Sequence, residues 1–332
     1  VAATYLGFPD LINYWLTGVK ACEFTHATTT QCYNPRAHDW DRQLLGAVGV
    51  PTHIFPEIVR PGTRLGEYRG IPVIAPPSHD TGSAVVAVPT TTRNFAYISS
   101  GTWSLIGLEI DTPVINDAAY AANVTNEGGA EGKFRFLKNI MGLWLAQQCR
   151  ATWRAEGTEY SYDQLAALAT EAPPFVSFID PDDEVFFPPG DMPARIRAFC
   201  ARTGQPVPAT PGATIRTVYE SLALRYRDAL DKMIALSGMT VDRMHIIGGG
   251  SKNAVLCQMT ADAIGRPVYA GPTEATVLGN AIVQLIALGE LGSVAEGRAL
   301  LSHQAEMQVY EPKSTAAWDA AFARFKQLEM TP

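Results

Sequence analysis

The chain has 332 residues, 47% of them hydrophobic and 18% charged, which supplies a substantial core and argues against intrinsic disorder. A formal net charge of -7 without any Lys/Arg cluster argues against nucleic acid or an anionic membrane surface as the main partner and favours a small-molecule ligand. Cys22, Cys32, Cys149, Cys200 and Cys257 have neither metal-knuckle nor redox-pair spacing, no apolar run approaches the roughly 18 residues of a membrane span, and the N-terminus carries no secretory signal, so a cytoplasmic setting is expected.

Two domains are expected, because single cores rarely grow beyond about 250 to 300 residues, and the pattern changes near Pro89 to Arg93. Pro9 to Gly18 predicts a helix closed by glycine. The rest of the first 70 or so residues reads as loop-rich and polar around Thr28 to Gln31, with a short helical pattern from Trp40 to Val48. A strand from Ile71 to Pro76 then delivers Ser78-His79-Asp80-Thr81-Gly82-Ser83, a small-residue turn with a carboxylate beside a histidine. Phe95 to Ile98 and Ser104 to Leu108 predict paired strands flanking the tight turn Gly101-Thr102.

Asn126-Glu127-Gly128-Gly129 reads as a turn, Phe134 to Leu137 as a strand and Lys138-Asn139 as a helix start, followed by an amphipathic helix from Met141 to Trp153. Asn139 and Gln147, eight residues apart, would then lie near one helical face. The Pro-rich span 173–193 predicts an irregular surface insertion or a loop over a cleft. Pro211 to Leu236 predicts a long helix with Ile215, Val218, Leu222, Tyr226, Ala229 and Met233 on its apolar face. Beyond it come a buried strand, Met244 to Ile247, a Gly248–Gly250 turn, and a helix to Ala263 with Ser251 as its expected N-cap. A short strand, Val268 to Ala270, and helices from Glu274 to Leu288 and Thr315 to Gln327 complete the pattern, with no internal repeat.

The turns at Asp80 and Gly101-Thr102 together suggest phosphoryl transfer to a hydroxyl. That chemistry needs a base for the acceptor and N–H groups plus a hydroxyl to hold the phosphates in line. Each feature also has a plainer reading: Asp80 caps its own turn, Gly101-Thr102 closes a hairpin, and the glycine triplet is only a strand-to-helix turn. A Walker A loop is absent, because Gly128-Gly129-Ala130-Glu131-Gly132-Lys133-Phe134 has the wrong glycine spacing and Phe where Ser or Thr must stand. No protein-kinase motif set occurs. His26, His38, His53 and His303 have no partner at metal-ligand spacing, and no metal-binding residue is assigned.

Pro77 to Ser83, Ile98 to Ser104, Asn126 to Gly129, Arg135 to Trp144 and Gly271 to Thr276 closely resemble rhamnulokinases of the FGGY carbohydrate kinase family over nearly the whole chain. The resemblance implies an α/β, actin-like ATPase fold with ribonuclease-H-like domains, a cleft between the lobes, and an incomplete first domain. Residues 1–90 would be the C-terminal part of the first, sugar-binding domain, 91–290 the second, nucleotide-binding domain, and 291–332 a helical tail. It implies ATP- and Mg2+-dependent phosphorylation of the C1 hydroxyl of L-rhamnulose, with L-fuculose, xylulose or glycerol as other candidate substrates; a monomer is expected. Carried over by position, Asp80 is the catalytic base, His79, Asp80, Thr81 and Asn139 contact the sugar, and Thr102, Gln147 and Gly249 contact ATP. The family's first phosphate loop has no counterpart after Val1. As it stands the chain is therefore expected to be a poorly soluble fragment with little or no turnover, or a binding-only remnant.

Overall fold

The structure is a computed structural model that describes residues 2–304 and 307–328. The chain forms two compact units, one of residues 1–93, 108–137 and 274–305, the other of residues 94–107, 138–273 and 306–332.

In the first unit, the helix Phe8–Thr17 ends at Gly18, whose φ of 75° lets its N–H return to the Tyr14 carbonyl. Cys22–Glu23 pairs in parallel with Ile58–Val59, and Thr63–Tyr68 forms an antiparallel hairpin with Ile71–Ala75, interrupted by a bulge between Arg64 and Gly66. The expected strand therefore does lead into the His79-Asp80 turn, which opens the helix Asp80–Val86. That helix packs against Ala275–Ala287, and the contact requires a glycine: a Cβ on Gly279 would lie 1.7 Å from the Ser83 carbonyl oxygen. Val86, Ala130, Ile282, Val283 and Val294 form the core beneath them. Arg298 closes this core with both oxygens of Glu109 at 2.9 Å and with the carbonyls of Val85 and Val86.

Asn126 to Gly129 is not a turn. Thr125–Gly128 is a strand antiparallel to the start of Phe134–Met141, with Gly128 opposite Phe134. The Asn126 amide explains the difference: it accepts from Val114 N and donates to Val114 O, both at 2.8 Å, so a side chain substitutes for a ladder partner.

In the second unit, Phe95–Ser100 pairs in parallel with Arg243–Ile247, which pairs in parallel with Val268–Ala270; Gln308–Tyr310 adds antiparallel beyond the last. The helix Pro211–Ser237 is capped by Thr210 and ends at Gly238, and the apolar positions predicted for it are buried, from Ile215 to Met233. Ala254–Ile264 packs on it. Its N-cap is Asn253, which accepts from Leu256 N at 3.0 Å, and not Ser251, whose hydroxyl is taken by the Gly248 carbonyl within the 3-10 turn Gly249–Lys252. The Pro-rich span is irregular apart from Glu184–Phe186 and the start of the helix Met192–Arg202, yet it is anchored: Phe178, Ile179 and Phe186 are buried, and Asp182 bonds Arg225 and Met141 N. Among the described residues no helix is long and apolar enough to cross a membrane.

Candidate active site

Within the first unit, Asp80 is the first residue of its helix, with His79 as the residue before it in extended conformation. The Asp80 side chain is 80% exposed, open to a ligand. Its Oδ1 accepts from the N–H of Thr81 at 2.6 Å and from the Thr81 hydroxyl at 3.3 Å, and Thr276 donates to the Asp80 carbonyl at 3.3 Å. The structure thus brings His79, Asp80 and Thr81 together; Thr81 is buried and holds the carboxylate from below.

His79 Nδ1 sits between two carboxylates, 3.8 Å from Asp80 Oδ1 and 4.0 Å from Glu127 Oε2. Glu127 is in turn paired at 3.0 Å with Arg135, a guanidinium with no exposed surface, whose Nε donates to the Gly128 carbonyl. Burial first, and then the Arg135 charge, push His79 below the ordinary histidine range against the pull of Glu127 and Asp80. Its surroundings therefore favour the neutral imidazole over the charged one.

Behind the turn lies Glu23, fully buried. Its carboxylate accepts from Thr25 N, the Thr25 hydroxyl, His26 N and Ser78 N at 2.5 to 3.2 Å. Thr25 Oγ1 accepts in turn from His79 N at 3.1 Å. Burial raises the Glu23 pKa to about 7 in spite of these donors.

Within the second unit, the Gly101-Thr102 turn joins Phe95–Ser100 to Trp103–Ile110. The carbonyls of Gly101 and Thr102 accept from Leu143 N and Trp144 N, which sets the helix Trp144–Ala155 on the turn. Thr102 Oγ1 donates to Gln147 Oε1 at 3.2 Å, so these two predicted nucleotide contacts do meet. The glycine turn lies against the same strand end: Gly248 has φ 83°, and added Cβ atoms on Gly248 and Gly250 would fall 2.9 Å from the Ser100 carbonyl oxygen and 2.0 Å from Ser100 Oγ. Gly249 is exposed, with nothing near the place of its Cβ. The Gly101 and Gly248 N–H groups are taken by the carbonyls of Trp103 and Pro272, and the exposed Thr102, with its hydroxyl, and the uncovered Gly249 are the parts of this surface that fit the phosphate and nucleoside groups of ATP. Among the described residues no group of three or more His, Cys, Asp or Glu could hold a metal ion; Mg2+ carried by phosphates needs only one or two carboxylates from protein.

Asn139 is an exposed position on the strand Phe134–Met141, and the helix bearing Gln147 starts only at Trp144. The shared helical face expected for Asn139 and Gln147 does not exist. Gly142 separates the two elements, because a Cβ there would meet Ser104 Oγ at 2.5 Å, and the chain turns where it passes that strand.

Sequence reading assigned no role to Glu23, Thr25, Arg135 or Thr276, although Arg135 and Thr276 lie in segments that carry the resemblance, and it read Glu127 as part of a turn. Glu23 reaches Ser78 across 55 positions, a separation that leaves no local signal.

Residues 96–288 match the C-terminal domain of the FGGY family of carbohydrate kinases and residues 1–71 its N-terminal domain. The chain belongs to that family. It is 47% identical over 331 residues to a rhamnulokinase of Bacteroides thetaiotaomicron, with 97% of this chain and 67% of that one aligned, and 43% identical to a rhamnulokinase of Pectobacterium atrosepticum, with 97% and 65% aligned. The chain thus spans about two thirds of the length of these curated relatives. In fold it is similar to a ligand-bound xylulose kinase from Lactobacillus acidophilus, with a TM-score of 0.78 at 17% identity over 99% of this chain and 68% of that one. A xylulose kinase from Rhodospirillum rubrum gives 0.77 at 20% identity over 99% and 67%. The fold is the actin-like ATPase fold of sugar kinases.

Proposed function

We propose that the protein transfers the γ-phosphate of MgATP to the C1 hydroxyl of L-rhamnulose, with Asp80 as general base. The observation that carries this reading is the exposed Asp80 carboxylate, held by Thr81 at a helix start beside His79. The sugar rests on the similarity to rhamnulokinases.

As the new O–P bond forms, Asp80 takes the hydroxyl proton, the bond between the γ-phosphorus and the bridging oxygen breaks, and ADP leaves. His79 and Thr81 orient the ketose at the base, and Asn139 is assigned a further sugar contact. The Thr102 N–H and the Thr102 hydroxyl, once it exchanges its bond to Gln147 Oε1 for one to phosphate, stabilise charge on the phosphate oxygens, Gln147 is assigned a further nucleotide contact, and Gly249 leaves room for the nucleoside. Mg2+, when bound with ATP, neutralises phosphate charge.

The test is ADP release by the protein as its gene encodes it, supplied with MgATP and, separately, L-rhamnulose, L-fuculose, xylulose and glycerol. Release with L-rhamnulose alone is expected; release with a different sugar would retain the mechanism and overturn the specificity. Asp80→Asn is expected to lower kcat by roughly 10²–10⁴-fold with both ligands still bound, as the loss of a general base does. An Asn variant working at the wild-type rate would remove Asp80 from the chemistry.

A further inference from the structure

Glu23 is a costly residue to bury. A carboxylate with no exposed surface loses its hydration, and none of its bonds goes to a cation: its partners are three backbone N–H groups and one hydroxyl. Two of the four, Thr25 N and His26 N, belong to the short helix Phe24–Ala27 that Glu23 itself caps. A cap of that kind is ordinarily supplied by an exposed Ser, Thr, Asp or Asn at little cost. Helix capping therefore does not account for a buried glutamate here.

The remaining bonds lead elsewhere. Glu23 Oε2 accepts from Ser78 N at 2.9 Å, and Thr25 Oγ1 donates to the same oxygen while accepting from His79 N at 3.1 Å. Two consecutive peptide N–H groups of the turn before Asp80 are thus held by one carboxylate and its hydroxyl relay. Glu23 is itself fixed from both sides, by its N–H on Asp10 Oδ1 at 2.9 Å and by the parallel pairing of Cys22–Glu23 with Ile58–Val59. Gly82, one turn into the helix of Asp80, runs against the same threonine, where an added Cβ would lie 3.3 Å from Thr25 Cβ.

We infer that Glu23 and Thr25 form a clamp that fixes the backbone of Ser78 and His79 and so aims the Asp80 carboxylate; both are positioning residues for the base. Phosphoryl transfer depends on in-line geometry, and small displacements of a reacting group cost large factors in rate. A carboxyl group accepting several backbone N–H bonds at once is a stiff anchor, and in its ionised form, above about pH 7, those bonds are charge-assisted and about twice as strong as neutral ones. The inference rests on the base assigned under the proposed function, and its test has a readout that does not.

Thr25→Val keeps the volume and removes the relay, whereas Thr25→Ser keeps the hydroxyl. In the protein as its gene encodes it, Thr25→Val is expected to lower kcat for the sugar-dependent reaction about tenfold, to leave the KM for ATP within twofold, and to be rescued by Thr25→Ser. Glu23→Gln, which removes the charge and turns an amide NH2 towards Thr25 N, is expected to lower kcat in the same way. The second readout is the imidazole resonance of His79, assigned by its loss in His79→Gln. It should move in Thr25→Val and in Glu23→Gln and return in Thr25→Ser, while His53 and His303 stay in place. If the parent protein phosphorylates no ketose, the proposed function fails and the His79 resonance still decides the clamp. An unmoved His79 resonance in folded Thr25→Val, or a kcat within twofold of the parent, overturns it. Should Glu23→Gln fail to fold, the Val and Ser variants at Thr25 decide by themselves.

Discussion

At the scale of the residue, burial outweighs hydrogen bonding at Glu23 and holds its pKa near 7, above the ordinary value of 4.5. The sign of the linkage follows. A group whose pKa is raised on folding binds its proton more tightly in the native state, so its contribution is fully present below about pH 4.5 and is lost as pH rises through about 7. The shift corresponds to a loss on the order of 3 kcal/mol across that window. Glu23→Gln cannot ionise. Urea unfolding at pH 5 and pH 8 should therefore show the stability difference between the variant and the parent moving in favour of the variant by about that amount; parallel curves would mean that Glu23 is not raised. The same residue would then weaken the fold at neutral pH while aiming the base, a trade-off common at functional sites.

Thr102 and Gln147 show what residue-level reading can and cannot reach. Thr102 was legible as the hydroxyl of a tight turn and Gln147 as a polar residue of an amphipathic helix, and their hydrogen bond follows from that helix starting at Trp144. Gln147→Ala is expected to raise the KM for ATP several-fold with kcat changed less, because it removes an assigned nucleotide contact without touching the base. Steady-state kinetics with ATP varied at saturating sugar checks this. A KM within experimental error of the parent would leave Gln147 without a role at the nucleotide.

At the scale of the element, strand and helix assignments from periodicity hold where a single face is apolar and fail where a side chain or a close approach decides. Pro211–Ser237 was legible from the apolar spacing of Ile215 to Met233. Phe134–Met141 was legible only to Leu137, because seven of its eight residues are buried and the alternation that marks a half-exposed strand is missing. The contact of Asp80–Val86 with Ala275–Ala287 depends on Gly279, and nothing in the local sequence announces that a helix glycine faces a carbonyl. Gly279→Ala drives a methyl into the Ser83 carbonyl, 1.7 Å away before relaxation. Overpacking of this kind costs about 1–3 kcal/mol or more. Because the displaced helix begins with Asp80, kcat should fall together with the urea midpoint. A Gly279→Ala protein with unaltered midpoint and kcat would show that the two helices separate at no cost.

At the scale of the whole molecule, segments far apart in sequence complete one another inside each unit. Arg298 reaches back to Glu109 and to the carbonyls of Val85 and Val86, more than 180 positions away, and is nearly fully buried there. Removing one partner of such a pair leaves an uncompensated buried charge, so Arg298→Ala is expected to lose about 3–5 kcal/mol. The loss should be nearly independent of ionic strength, since salt screens buried pairs weakly. Urea denaturation at 0.05 and 0.5 M NaCl measures both quantities. A loss below about 1 kcal/mol, or one abolished by salt, would mark the pair as a solvated surface contact.

The sequence by itself determined the chemistry-bearing turns, since a small-residue turn with His79-Asp80 and a Gly-Thr turn between apolar strands are local patterns with local physical causes. It likewise determined the long helices, whose apolar faces repeat within a few residues. Only the tertiary structure decided what holds those turns in place: Glu23 and Thr25 behind Ser78 and His79, Arg135 and Glu127 beside the imidazole, and Ser100 against the glycine triplet. The physical reason is that a buried charge or a missing Cβ is meaningful only in relation to the group it faces. Here that group comes from a stretch of chain tens to hundreds of residues away, brought near by burial of the apolar faces.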